Sequence, residues 1–180
     1  MNDKWVIVDF DTLDLSENAL ILSCSILKIE PHLDPIMNMA NFDKLMQTAL
    51  FLRPSFEEQK GRTVNKQVYQ RFSVENVGNI LDRDNRDSLE SCREKIFAYL
   101  KGFDSTHVFC RGFHDKKWWS QLVTLCNFEA DPLPFFKWRE IITMLDIVSG
   151  NTEMVQKPEK FPINSLTNVV REAIGFKQVF

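Results

Sequence analysis

Trp5-Val-Ile-Val-Asp-Phe-Asp-Thr12 is the stretch on which the reading of this chain turns. Trp5 to Asp9 is a continuous apolar run closed by a carboxylate, the pattern of a central strand buried on both faces. Ala19 to Ile29 reads as a second strand, following the turn-prone Asp14-Leu-Ser-Glu-Asn18. So short a gap predicts an antiparallel pairing of the two. Asp9 and Asp11 stand two residues apart at the end of the first strand, so their side chains leave the same face. Two carboxylates held that close repel each other unless a cation lies between them, and Mg²⁺, a hard ion that prefers oxygen, suits the pair. Read alone, the pair also suits an ordinary strand-to-turn junction, where aspartate is common.

Beyond this hairpin the chain alternates. Phe42 to Arg53 is ambiguous, since Phe42, Leu45, Met46 and Ala49 have helical spacing while Ala49 to Leu52 suits a strand. Ser88 to Gly102 is the clearest helix, with Asp87 or Ser88 as N-cap, a stripe of Leu89, Ile96, Phe97 and Leu100, and a closing glycine. Thr106 to Cys110 reads as a strand and Asp115 to Cys126 as a helix. After the Pro132-Leu-Pro134 break, Glu140 to Val148 reads as a helix and Ser149 to Pro162 as a loop. Ser165 to Ile174 is a last helix with Leu166, Val169, Val170 and Ala173 inward. Strands followed by alternating helices and a strand indicate a mixed α/β domain.

The 180 residues fit one domain, residues 1–180, with 44% apolar and 26% charged residues, an ordinary soluble balance. No run approaches the length of a membrane span, and no signal peptide precedes the first strand, so the cytoplasm is the expected location. Cys24, Cys92, Cys110 and Cys126 lie far apart and read as reduced thiols rather than a zinc site. A net charge of −3 argues against tight, nonspecific coating of duplex nucleic acid.

Several segments, in order, resemble the motifs of the DEDD-type 3′–5′ exonuclease superfamily, and most closely its phage exonuclease A group. Val8-Asp-Phe-Asp-Thr-Leu and the apolar strand after it resemble the first motif, Asp-x-Glu-Thr. Phe42-Asp-Lys-Leu and Phe56-Glu-Glu-Gln-Lys-Gly-Arg62 resemble the segment after the hairpin. Phe109-Cys-Arg-Gly-Phe-His-Asp115 resembles the second motif, and Pro134-Phe-Phe-Lys-Trp-Arg-Glu-Ile-Ile-Thr-Met144 a following segment with an Arg-Asp-x-Arg-Thr core. Ile163-Asn-Ser-Leu-Thr-Asn-Val-Val-Arg-Glu172 lines up with the third motif.

The resemblance implies a ribonuclease-H-like mixed sheet flanked by helices, and two Mg²⁺ (or Mn²⁺) ions held by four carboxylates. Carried over, Asp9 bridges both ions, Asp11 stands for the family's glutamate and Asp115 is the carboxylate of the second motif. These three are the candidate catalytic residues; with Asn168, which takes the place of the third-motif aspartate, they form the candidate metal set. They are expected to meet in one cleft with Asn168 facing them from the last helix. Thr12, Leu13, Arg111 and Trp118 are the candidate substrate contacts.

Departures from the pattern bear on activity. Ile163 occupies the position of the family's general-base histidine and cannot accept a proton; neutral Asn168 brings no charge to a cation. Glu140 and Ile142 replace an aspartate and an arginine, and Arg71 and Phe72 stand where the family has paired tryptophans. Substitutes are poor on sequence grounds: His114 reads as packing where the family has phenylalanine, and Glu172 as a solvated surface glutamate. Two readings follow. One is an exonuclease-like protein with impaired or absent catalysis; the other is a pseudo-exonuclease that binds nucleic acid or a host protein. The implied partner is single-stranded nucleic acid, and the location becomes the host cytoplasm if the chain is phage-encoded.

Overall fold

The apolar run at the N-terminus becomes the middle of a five-stranded mixed sheet. The computed structural model describes residues 4–30, 41–75, 80–143 and 164–179. In chain order the strands are β1 (Trp5–Thr12), β2 (Ile21–Ile29), β3 (Leu50–Leu52), β4 (His107–Cys110) and β5 (Trp138–Glu140). The helices are α1 (Phe42–Thr48), α2 (Lys66–Glu75), α3 (Leu89–Leu100), α4 (Phe113–Leu125) and α5 (Ser165–Val179). The sheet order is β3-β2-β1-β4-β5. β1 pairs antiparallel with β2, from Trp5 opposite Ile29 to Asp11 opposite Ser23, and parallel with β4 on its other side. A central, doubly paired β1 explains its composition, because both faces are covered and only its far end meets polar groups.

Each face of the sheet has its own core. Val6, Val8 and Phe10 pack with Cys92 and Ile96 of α3 and with Trp118, Trp119 and Leu122 of α4. Ile7 packs on the opposite side with Leu27, Phe109, Ile141 and Val169, Val170 and Ala173 of α5. All four cysteines are buried and free. The Ser88 hydroxyl accepts a hydrogen bond from Ser91 N at 3.1 Å as the α3 N-cap, and Gly102 closes that segment with a left-handed φ of 71°.

The ambiguous segment is both things in turn: Phe42–Thr48 is helical and Leu50–Leu52 joins the sheet. Phe97, assigned to the inward stripe of α3, is 63% exposed, and Cys92 is buried in the face Phe97 was expected to fill. Glu140 does not begin a helix. It ends β5, which pairs in parallel with β4, and the chain turns helical only from Ile141. The remainder of that expected helix, the loop Ser149 to Pro162, and Ile163 lie outside the described residues.

Past the short β3, side chains take over the edge of β2. The Gln59 amide accepts from Ile21 N at 2.9 Å and donates to Ile21 O at 3.0 Å, so it pairs with one strand residue as a neighbouring backbone would. Arg86 donates to Leu22 O at 3.0 Å and to Pro54 O at 3.2 Å, with its guanidinium over the Phe56 ring.

Candidate functional site

The odd-numbered face of β1 changes character along its length. Ile7 is in the α5-side core; Asp9 and Asp11, further along, lie directly across from Ser25 and Ser23 of β2. The pairing register shifts between Asp11 and Thr12, an irregularity of the kind that re-aims side chains at the end of a strand. α5 starts over this end. Ser165 N donates to Asp11 Oδ2 at 2.7 Å and Ser23 Oγ donates to the same oxygen at 2.6 Å. The Ser165 hydroxyl also bonds Ser23 Oγ at 2.7 Å and Ser25 Oγ at 2.9 Å, tying helix to sheet.

One turn into α5, Asn168 Nδ2 donates to Asp9 Oδ2 at 3.0 Å, and its carbonyl oxygen accepts from Arg171 at 3.3 Å. The amide is therefore committed at both ends. Asp115 comes from the first turn of α4, where it accepts from Gly112 N at 3.4 Å. A carboxylate suits that position because the first turn of a helix offers free N–H groups and a positive dipole end.

Asp9, Asp11 and Asp115 are buried, at 5%, 9% and 5% exposure. Burial is the main force raising the pKa of each. Asp9 is held well above the usual carboxylate range, first by burial and then by the charges of Asp115, Glu172 and Asp11, with the Asn168 hydrogen bond opposing. Asp11 rises less freely because Ser23 and Ser165 donate to it. Asp115 is pushed up to about 7 by burial, against hydrogen bonds from the backbone of Gly112, Phe10 and Arg111.

Glu172 overturns the expectation of a solvated surface glutamate. It is fully buried, and neither carboxylate oxygen has a hydrogen-bond partner. Burial and the charge of Asp115 raise its pKa well above normal, while Arg111 and Arg171 pull the other way. Helical periodicity carried the signal: position 172 falls on the same α5 face as Ser165, Asn168 and Val169.

Among the candidate substrate residues only Arg111 is exposed. Thr12 is buried and donates to Asp14 O at 2.8 Å. Leu13 is buried with Leu22 and Ile80. Trp118 presents no open face for stacking: it is 6% exposed, lies edge-on to Phe10, carries the exposed His114 on its ring and donates to Ser16 O at 3.0 Å. Trp119 is completely buried and donates to Asp131 at 2.8 Å. The open aromatic surface is elsewhere. Phe113, Phe135 and Phe136 are 60%, 71% and 62% exposed, and Lys116 Nζ lies 5.4 Å from the Phe135 ring centre.

Whether a divalent cation suits these residues is decided by the donors themselves. They are hard carboxylate oxygens, buried and mutually repelling, and Glu172 adds two oxygens without a partner. That is the donor chemistry of Mg²⁺ or Mn²⁺. As the side chains stand, no three His, Cys, Asp or Glu groups among the described residues form a metal-holding cluster.

The sheet order, the antiparallel hairpin at its centre and the helices on both faces define a ribonuclease-H-like nuclease fold. Two solved structures share it. The nuclease domain of 3'hExo, a DEDDh family member, bound to rAMP, superposes with a TM-score of 0.68 at 14% identity, over 98% of this chain and 91% of that one. Cell-death related nuclease 4 (CRN-4) superposes with a TM-score of 0.61 at 15% identity, over 98% of this chain but 63% of that one. No family model matches the sequence, and no curated protein does.

Proposed function

We propose that the chain is a divalent-metal-dependent nuclease-like protein of the 3′–5′ exonuclease class, with slow phosphodiester hydrolysis. The observation that carries this reading is the burial of Asp9, Asp11 and Asp115 together at the end of β1, where burial raises the pKa of each. Asp9, Asp11 and Asp115 would hold Mg²⁺ or Mn²⁺, which when bound supplies positive charge to the phosphate and acidity to a water molecule. The rest falls to the protein. Ser23 and Ser165 fix the Asp11 carboxylate, and the α4 N-terminus fixes Asp115.

Two features slow the chemistry. Asn168 occupies Asp9 with a hydrogen bond instead of offering a charge. His114, the basic side chain next to Asp115, is exposed and stacked on Trp118 at 5.6 Å between ring centres. Loss of a general base typically lowers rates by about 10²–10⁴-fold.

Single-stranded nucleic acid is the favoured substrate. Phe113, Phe135 and Phe136 are exposed, with Lys116 beside the Phe135 ring, and aromatic faces interleaved with cations hold unpaired bases and their phosphates without sequence preference. No described helix is long and apolar enough to cross a membrane. The double commitment of Asn168 also favours a second reading, a binding module for nucleic acid or a host protein with the same fold and no turnover. The test is incubation with 3′-labelled single-stranded RNA and DNA in Mg²⁺ or Mn²⁺, beside an Asp9→Asn control. Slow shortening from the 3′ end that vanishes in the control supports the nuclease; binding without shortening in either ion leaves the second reading.

A further inference from the structure

We infer that Glu172 is the fourth carboxylate of the metal site, displaced one helical turn along α5 from Asn168. The inference rests on the metal-dependent reading above and concerns the residue that completes it.

Two observations support it independently of any resemblance. First, Glu172 is fully buried with both oxygens unpartnered, the costliest way to place an acidic side chain in a fold. Arg111 and Arg171 are near enough to act on it through their charge, yet neither makes a hydrogen bond to it. A cation answers that need where the surrounding protein does not. Second, the residue one turn earlier is unfit for the task. The Asn168 amide presents its nitrogen, a donor, to Asp9 and turns its oxygen to Arg171, so the group that meets Asp9 is not one that binds a cation.

Helix geometry makes the exchange feasible. Residues four apart share a face about 5–6 Å from each other, and glutamate is one methylene longer than the aspartate it would replace. Glu172 lies close enough to Asp9 and Asp115, the residues that would hold the ion, for their charges to act on one another. Asn168 then becomes a positioning residue that holds Asp9 while no ion is present.

The test reads metal binding, not turnover. Mn²⁺ affinity is measured by electron paramagnetic resonance and by the Mn²⁺-induced rise in Tm, for the unmodified protein, Asp9→Asn, Glu172→Gln and Glu172→Gln with Asn168→Asp. The expected result is at least a ten-fold loss of affinity in Glu172→Gln, with its metal-free Tm equal to or above that of the unmodified protein. The double variant, which returns a carboxylate to position 168, recovers a large part of the affinity. Unchanged affinity in Glu172→Gln with loss in Asp9→Asn overturns the role of Glu172 and leaves the metal site standing. Absence of Mn²⁺ binding by the unmodified protein overturns both. Should Glu172→Gln fail to fold, Glu172→Asp keeps the charge but withdraws it by one methylene; affinity equal to the unmodified protein there also overturns the inference.

Discussion

The two faces of β1 are built from the same eight residues by strict alternation, yet they serve opposite ends. Val6, Val8 and Phe10 meet an apolar wall from α3 and α4. Ile7, Asp9 and Asp11 begin in an equally dry core under α5 and finish among Ser23, Ser25, Ser165, Asn168 and Glu172. The first face supplies stability that the second consumes, because buried carboxylates without counter-charge oppose folding. A strand with both kinds of face is able to hold a cluster of buried carboxylates in place although the cluster itself opposes folding.

Perturbing either face should therefore have opposite signatures. The largest effect belongs to the apolar side: Trp119→Ala should lower stability by about 3–5 kcal/mol, the range for deleting a fully buried aromatic side chain, and Asp131 keeps only its hydrogen bond from Leu133 N. Chemical denaturation measures it, and a loss below about 1 kcal/mol would mean the α4 wall is not the stabilising face.

The polar side should show itself through pH. Asp115 titrates near 7 in the folded chain, and Asp9 is raised as well, whereas both titrate near 4 once unfolded. Folding thus favours their protonated forms. The Asp115 contribution to stability is complete below about pH 4 and is lost as pH rises through about 7, a loss on the order of 4 kcal/mol, and Asp9 acts in the same direction. Metal-free protein should melt at a lower temperature at pH 8 than at pH 5, and Mg²⁺ or Mn²⁺ should recover more of the difference at pH 8. A Tm that climbs over that interval without metal would contradict the picture. The smallest effect is Ser23→Ala, which removes one donor from Asp11 and should destabilise by about 1–2 kcal/mol while weakening Mn²⁺ binding, both visible in the same melting experiment.

How much of this was legible in the sequence divides along the same line. The Trp5–Asp9 run announces a strand covered on both sides, and Asp9 and Asp11 announce themselves through their spacing. What sequence could not supply is what lies opposite. Glu140 read as the start of a helix because its partner is β4, thirty residues earlier, and a three-residue strand has no alternation to read. Residues 66–75 show no helical stripe in sequence because that helix places Val68 and Phe72 alone of its described side chains against the protein. Phe97 was placed inward by its chemistry, although its helical angle leaves it exposed. Glu172 was placed outward for the same kind of reason. A charge is normally solvated, and only the packing of α5 on β1 and β2 puts it under the sheet.

The Gln59 clasp on Ile21 has a consequence for how this protein meets others. An open strand margin is a template on which any extended chain can dock, one's own copy included. Here that margin is occupied by a side chain that imitates a strand with a single amide, and asparagine would be too short and glutamate would lack the donor to do the same. With Gln59 and Arg86 occupying these backbone positions, lateral growth of the sheet is blocked along this stretch of β2. Replacing Gln59 with leucine would take these partners from both the N–H and the C=O of Ile21.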